Sequence, residues 1–297
     1  MSEVNVDGYP VHITNPDKLM WPKMGIRKID YITKLVELAP YILPHARNRL
    51  LTVVRYPDGV DGTSFFQKNT PDYAPDWLET SEWNKNHYTL LNTLAALVWL
   101  GNQAVLEFHT GFNRIQKQNN PTDLVFDLDP SEGQHFDDVA ETALLIHETL
   151  MDLNIRSWIK TSGATGLQLY IPVGSRYDYD TARTINEFFG RYFSQRYPDI
   201  ITIERRIKNR GSRLYFDYLQ MWAGKTITMV YSPRAATNAL ISMPVTWEEV
   251  QNGIHPQDFH LLNAGTRLKE KGDLFQELNK SENIQNLDFL LQHIQNH

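Results

Sequence analysis

Seven short runs rich in β-branched and aromatic residues recur along the chain: LTVVRY (51–56), AVLEFH (104–109), LVFDLD (124–129), RSWIK (156–160), LQLYIPV (167–173), RLYFDYL (213–219) and KTITMVYS (225–232). Runs of this length and composition read as strands. Between them lie segments with helical periodicity. Residues 27–39 space Ile29, Ile32, Val36 and Ala39 as one face, residues 137–153 do so with Val139, Ala143, Ile146, Leu150 and Leu153, and 181–197 are similar. Thr246-Trp-Glu-Glu249 has capping-box spacing, with Gly253 placed to end the short helix that follows. Only a few residues around Gly224 separate the last two runs, which predicts an antiparallel hairpin and disfavours an all-parallel sheet. The expected fold class is α/β (α+β): mixed, largely antiparallel sheets flanked by helices.

With 297 residues, 41% of them hydrophobic, the chain has enough apolar material for a sizeable core. It carries no repeat, low-complexity segment or linker-like run, so a single domain over 1–297 is expected. No N-terminal apolar segment follows a basic one, and no stretch reaches the roughly 18 apolar residues that span a bilayer. The expectation is a cytoplasmic protein without membrane contact. The absence of cysteine excludes disulfides, thiolate metal sites and a cysteine nucleophile, and it leaves carboxylates and histidines as metal ligands. A net charge of −6 argues against coating nucleic acid by bulk charge, while leaving room for a locally basic groove.

Two aspartates inside the apolar run LVFDLD are the first functional signal, because Asp is disfavoured in strands and costly to bury unpaired. In a strand, Leu124, Phe126 and Leu128 face one way and Val125, Asp127 and Asp129 the other, with the two acids about 7 Å apart at their Cα atoms. Such a pair repels unless a divalent cation sits between them, and Mg²⁺ or Mn²⁺ takes oxygen ligands of this kind. The alternative is that Asp129-Pro130 begins a turn capped by Asp127. Asp217, in the aromatic run RLYFDYLQ with Tyr215 and Leu219 on its face, completes a set of three acids of the kind two-metal phosphoryl-transfer sites use.

KTSGATGLQLYIPV (160–173) reads as strand, Gly-rich turn, strand, and it lacks the GK[ST] of a P-loop. Its turn is either a plain hairpin turn or a nest in which Ser162 and N–H groups near Gly163 and Gly166 cradle a phosphate. ERRIKNRGSR (204–213) gathers Arg205, Arg206, Lys208, Arg210 and Arg213, either as a solvated face or, beside Asp217, as an anion site. Lys225 and Arg234 add cations further on. His109 is a core or surface residue on one reading and a phosphate or metal contact on the other.

Taken in order, NPDKLMWP (15–22), FFQKNTPDYAPDW (65–77), EFH (107–109), DLVFDLDP (123–130), KTSGATGLQLYIPV (160–173), NRGSRLYFDYLQ (209–220), GKTITMVYSPRA (224–235) and SMPVTWEEV (242–250) resemble the polymerase domain of bacterial ligase D, a member of the archaeo-eukaryotic primase superfamily. The resemblance implies a primase-like catalytic core and a template-dependent nucleotidyltransferase that fills or extends DNA ends in nonhomologous end joining. It implies Mn²⁺ or Mg²⁺ at a two-metal site, nucleoside triphosphates as substrates with ribonucleotides favoured, and gapped or broken 5′-phosphorylated DNA as partner. A DNA ligase and a Ku-like end-binding protein are further implied partners, with a nucleoid-associated location in a bacterium. Residue by residue, it implies Asp127, Asp129 and Asp217 as catalytic metal ligands. His109, Ser162, Gln168, Arg210, Gln220, Lys225 and Arg234 become nucleotide contacts. Within the N-terminal segment of about 1–80, Lys18 and Lys28 become the 5′-phosphate contacts and Phe65 and Phe66 the template-base contacts, with Arg55 and Lys68 beside them on DNA.

The chain departs from the family's usual S-G-x-K-G-L-H turn by carrying Thr165 and Gln168, and Met221 stands where asparagine is common. Those departures motivate a second reading, an end-bridging module that recognises 5′-phosphorylated DNA and polymerises poorly. A two-metal nuclease uses similar acids, but the cations Arg210, Lys225 and Arg234 favour a triphosphate.

Overall fold

The computed structural model describes residues 2–296. The chain divides into two compact units: one made of the chain up to Gln116 with Thr226–Met243 and Phe259–Gly272, the other of Lys117–Lys225, Pro244–Asp258 and the chain from Asp273 on.

The first unit is built on a four-stranded antiparallel sheet in the order Thr226–Thr228, Val105–Gly111, Leu51–Arg55, Phe65–Gln67. Two helices pack against one another beside it, Lys28–Ala46 and Leu94–Asn102. The longer helix begins with a capping box in which Asp30 accepts the Arg27 N–H at 3.0 Å. It runs further than the sequence pattern suggested, through Pro40 and Pro44, and its buried stripe is Tyr31, Ile32, Leu35, Leu38 and Ile42. Val36, read from sequence as inward, is exposed, because the stripe is phased on the Tyr31–Leu38 side. Leu94–Asn102 had no sequence signature: it is buried all round, so it shows no amphipathic period.

The second unit holds a six-stranded sheet in the order Ile201–Thr202, Leu214–Phe216, Asp123–Asp129, Leu167–Pro172, Trp158–Thr161, Pro244–Val245. All neighbours are antiparallel except the first pair. Leu124, Phe126 and Leu128 are fully buried. Phe126 lies 5.3 Å from Phe189 of the helix Tyr179–Arg196 and 4.9 Å from Phe216. Within that interface Asn186 Nδ2 donates to the Val125 carbonyl at 2.9 Å. The helix Phe136–Asp152 contacts the strands Asp123–Asp129 and Leu167–Pro172. Thr246 and Glu249 form the expected capping box on Trp247–Gln251.

The expected hairpin of 213–219 with 225–232 does not form. Leu214–Phe216 belongs to the six-stranded sheet and Thr226–Thr228 to the four-stranded one. The strand ends at Phe216 because Asp217 accepts the Leu219 N–H at 3.1 Å and opens a 3-10 turn, Tyr218–Gln220. Thr226–Thr228 then pairs with Val105–Gly111, setting Thr228 opposite His109. Leu219 therefore does not share a strand face with Asp217. Among the described residues no helix is long and apolar enough to cross a membrane.

Because Phe126 is completely buried between two other phenylalanines, Phe126→Ala is expected to destabilise the second unit by about 3–5 kcal/mol, lost contacts and cavity together. Urea unfolding monitored on that unit should show a lower midpoint at an unchanged slope.

Candidate functional site

Asp127 and Asp129 leave the same face of the strand Asp123–Asp129, Asp127 half-buried and Asp129 exposed. Register sets Asp127 opposite Gln168 and Asp129 opposite Tyr215. Gln168 Nε2 donates to Asp127 Oδ1 at 2.9 Å. Tyr215 Oη donates to Asp217 Oδ1 at 3.1 Å, and the Arg210 guanidinium lies 3.6 Å over the Tyr215 ring. Burial first and the Asp129 carboxylate second push the Asp127 carboxyl up to about 7; Asp217 adds to the effect, while the Gln168 hydrogen bond and the Lys160 charge work against it. Asp127 thus feels both of the other acids electrostatically. Among the described residues, however, no three Asp, Glu or His side chains form a ready cation cage; Asp217 is drawn to Tyr215 and the Leu219 N–H. The donor chemistry of the pair, hard oxygens whose mutual repulsion the sheet does not relieve, suits a hard divalent cation.

The Gly-rich turn is a hairpin turn between Trp158–Thr161 and Leu167–Pro172. Ser162 Oγ accepts the N–H groups of Ala164 at 3.2 Å and Gly166 at 3.1 Å, and Ser162 N donates to the Gly166 carbonyl at 2.9 Å. Those N–H groups are taken up inside the turn, which favours the plain hairpin turn over the phosphate nest, the two readings the sequence left open; the Ser162 hydroxyl proton is still available to donate. Gly166 is required by a close approach: a Cβ there would stand 2.6 Å from the Leu128 carbonyl oxygen and 3.4 Å from Asp129 Oδ1. Thr165 is exposed at the tip.

Arg210 Nε and Nη2 donate to the carbonyls of Glu204 and Arg205, and Arg213 Nε donates to the Arg210 carbonyl, so these two arginines brace the basic loop. A cleft of about 950 Å³ lies beside this loop, lined by Arg205, Arg206, Asn209, Arg213 and Tyr218; the acid pair does not line it. Gln220 is half-buried in the Tyr218–Gln220 turn, and Lys225 is exposed.

In the first unit, His109 Nε2 is 3.1 Å from Glu107 Oε2, and Arg234 Nε is 3.4 Å from Glu107 Oε1. The Ala235 N–H also donates to Glu107 at 3.1 Å, and Arg234 Nη1 donates to Thr228 Oγ1. Burial alone would raise the Glu107 carboxyl; the hydrogen bond from His109, the Arg234 charge and the Ala235 N–H more than offset it, and the net shift is downward. Lys28 is buried, with Nζ donating to the Asn102 carbonyl at 3.0 Å. Burial, then the nearby charges of Lys18 and Arg55, hold Lys28 below the ordinary lysine range. Lys18 Nζ donates to the Pro57 carbonyl and to Asp58, each at 2.8 Å. Arg55 lies 5.3 Å over the Phe65 ring. Phe65 and Phe66 are 45% and 72% exposed, an unfavourable placement for core residues and a usable one for stacking. Lys68 is exposed beside them.

Residues 27–275 match the family model described as LigD, primase-polymerase domain. The chain belongs to that family. It is 37% identical over 268 residues to the bifunctional non-homologous end joining protein LigD of Bacillus subtilis, covering 89% of this chain and 44% of the relative. The corresponding multifunctional LigD of Mycolicibacterium smegmatis is 32% identical over 276 residues, covering 90% of this chain and 36% of that protein. The chain therefore spans less than half the length of these curated relatives. Among solved structures, the polymerase domain of Mycobacterium tuberculosis ligase D in complex with DNA superposes with a TM-score of 0.83 at 29% identity, covering 90% of this chain and 97% of that one. The mixed, largely antiparallel architecture expected from sequence is the family's own.

Two residues of this LigD-type domain escaped the sequence reading. Glu107 was visible only as a letter in EFH, although a buried acid flanked by His109 and Arg234 is what ties both to one place. Lys160 opens KTSG, and a hairpin closed by Ser162–Gly166 must set it opposite Gln168; the register was the available signal.

The pH dependence follows from Asp127. Its folded-state value, raised from 3.8 to about 7, means that the folded protein holds a proton over that interval which the unfolded chain has released. Stability of the metal-free protein therefore falls as pH rises through the interval. Asp127→Asn removes the penalty: with chelator at about pH 8 its Tm should exceed that of the parent by a few degrees, at roughly 2–4 °C per kcal/mol, and the two should coincide near pH 4. Differential scanning calorimetry at both pH values checks this, and equal Tm values at pH 8 would contradict it.

Proposed function

We propose that this chain is a template-dependent nucleotidyltransferase, working as a single polymerase domain, that adds nucleotides, preferentially ribonucleotides, at gaps or ends of DNA during double-strand break repair. The observation that carries this reading is the Asp127–Asp129 pair, two carboxylates held on one strand face where burial first and mutual repulsion second disfavour the charged form of Asp127, a cost that a bound cation would offset. Asp127, Asp129 and Asp217 are the residues that would hold Mn²⁺ or Mg²⁺; divalent cations at such a site lower the charge on the attacking 3′-oxygen and on the departing pyrophosphate. Ser162, Arg210, Gln220, Lys225, His109 and Arg234 are assigned to the triphosphate, where arginine and lysine supply charge-assisted hydrogen bonds. Glu107 orients His109 and Arg234.

DNA is the proposed partner, in keeping with the DNA complex of the mycobacterial polymerase domain. Lys18, Lys28 and Arg55 lie close enough for their charges to depress Lys28, so a dianionic 5′-phosphate would be attracted by the group as a whole. Phe65 and Phe66 offer exposed faces for template bases, with Lys68 on the backbone. A DNA ligase and a Ku-like end-binding protein are the proposed assembly partners, and a cytoplasmic, nucleoid-associated location follows from the same reading.

Asp127→Asn and Asp129→Asn are each expected to lower primer extension on a gapped duplex by at least about a thousandfold with Mn²⁺ present, while binding of that duplex stays within about twofold. Extension at the parental rate by either variant would refute the metal assignment, and a parental chain that binds the duplex without extending it would favour the bridging module.

Lys18→Ala and Lys28→Met should weaken binding of gapped DNA bearing a 5′-phosphate by roughly tenfold more than binding of the same DNA with a 5′-hydroxyl, one charge-assisted contact being worth about 1.5 kcal/mol. Fluorescence anisotropy titrations of both duplexes provide the comparison. Equal losses would make these lysines backbone contacts or structural cations.

A further inference from the structure

A row of three polar side chains crosses the six-stranded sheet and ends at the acid pair. Lys160, Gln168 and Asp127 stand directly opposite one another on three adjacent antiparallel strands, so all three leave the same face. Lys160 is completely buried and Gln168 is 4% exposed. Lys160 Nζ donates to Gln168 Oε1 at 2.5 Å, and Gln168 Nε2 donates to Asp127 Oδ1 at 2.9 Å. The Lys160 ammonium also lies 3.5 Å from the Thr161 carbonyl oxygen and 5.9 Å from the centre of the Tyr170 ring.

The chemistry of the two ends fixes the middle. An ammonium group can only donate and an ionised carboxylate can only accept, so the amide between them has one satisfactory orientation. Turned over, it would face its NH₂ to the ammonium and its oxygen to the carboxylate, two repulsions in place of two hydrogen bonds. Burying an ammonium is expensive, and a methionine of similar length would fill the space without that cost. A lysine retained there is accounted for if the orientation it imposes is useful.

We propose that Lys160 is a positioning residue of the metal site: it locks the Gln168 amide, which holds Asp127 Oδ1 and leaves Oδ2 as the oxygen offered to a divalent cation. The proposal rests on the reading of Asp127 as a metal ligand. It also moves Gln168 from the triphosphate, where the sequence had put it, to the acid, because its carbonyl and one N–H are already spent on Lys160 and Asp127. Partners that orient a metal ligand in this way typically matter by 10–100-fold.

The test uses the full chain with Lys160→Met, Gln168→Leu, the double variant Lys160→Met/Gln168→Leu, Gln168→His, and Asp127→Asn as reference. In the metal-free protein, the Gln168 side-chain amide, assigned by its disappearance in Gln168→Leu, should exchange slowly with solvent by NMR, and Lys160→Met should abolish that protection. In Mn²⁺-dependent extension, both single variants should lose on the order of 10–100-fold in kcat with nucleotide KM within about threefold, and the double variant should be no worse than either single one, since one chain of contacts is broken once. Gln168→His should restore most of the rate, because a neutral imidazole accepts at one nitrogen and donates at the other. The double variant, which leaves neither a buried ammonium without its amide nor an amide without its ammonium, keeps the test independent of any misfolding of Lys160→Met. Persistence of the protected amide in Lys160→Met, losses that multiply in the double variant, or losses that appear in nucleotide KM would overturn the proposal. If Asp127→Asn itself extends at the parental rate, the metal reading has failed; if it is inactive while Lys160→Met and Gln168→Leu are unimpaired, the positioning role alone has failed.

Discussion

Two carboxylates on one strand face repel, and much of the second unit can be understood as the structure that holds them there. The apolar side of the strand is fixed by Phe126 between Phe189 and Phe216, so the strand cannot twist Asp127 and Asp129 apart without opening the core. On one flank Gly166 lets the 162–166 turn close against Leu128 and Asp129, an approach that any Cβ would prevent. On the other, Tyr215 opposes Asp129 and ties Asp217 into a 3-10 turn. The rigidity of the fold keeps an unfavourable charge arrangement in place, one that the proposed cation would relieve.

The same logic explains the polar row through Gln168. A sheet interior normally excludes an ammonium ion, and here it is admitted at the one register position from which it can act on Asp127 through an amide. The arrangement combines a fixed hydrogen bond with a moderating positive charge, and both depend on antiparallel pairing being exact over three strands. In the first unit the analogous organiser is Glu107, a buried acid that gathers His109, Arg234 and the Ala235 N–H around itself. Each unit therefore presents charged groups held by a buried polar partner, one set anionic and the other largely cationic.

An acidic chain with the proposed role on DNA must concentrate its cations. Lys18, Lys28 and Arg55 are near enough to one another to disfavour the charged form of Lys28, and Arg205, Arg206 and Arg213 line one cleft. The exposed Phe65 and Phe66 sit on the sheet edge next to Arg55, an arrangement of aromatic face and cation that suits nucleic acid better than it suits a core.

The strands, the amphipathic helices and the acids in their aromatic-aliphatic setting were legible in the sequence, because alternation and helical period are local properties of the chain. So was the family, because eight motifs stand in the family's order even with the departures at Thr165 and Gln168. The all-buried helix Leu94–Asn102 was not legible, since a segment with no polar face has no period to read. Nor was the separation of Leu214–Phe216 from Thr226–Thr228: their spacing suits a hairpin, and only the Asp217 turn and the competing strand Val105–Gly111 direct them to different sheets. The contacts of Ser162, Gln168 and Lys160 were likewise decided by tertiary structure. Sequence identifies a hydroxyl, an amide and an amine near a glycine turn, but which of them faces a phosphate, a carboxylate or its own backbone depends on strand register, and register is fixed by the packing of the other face.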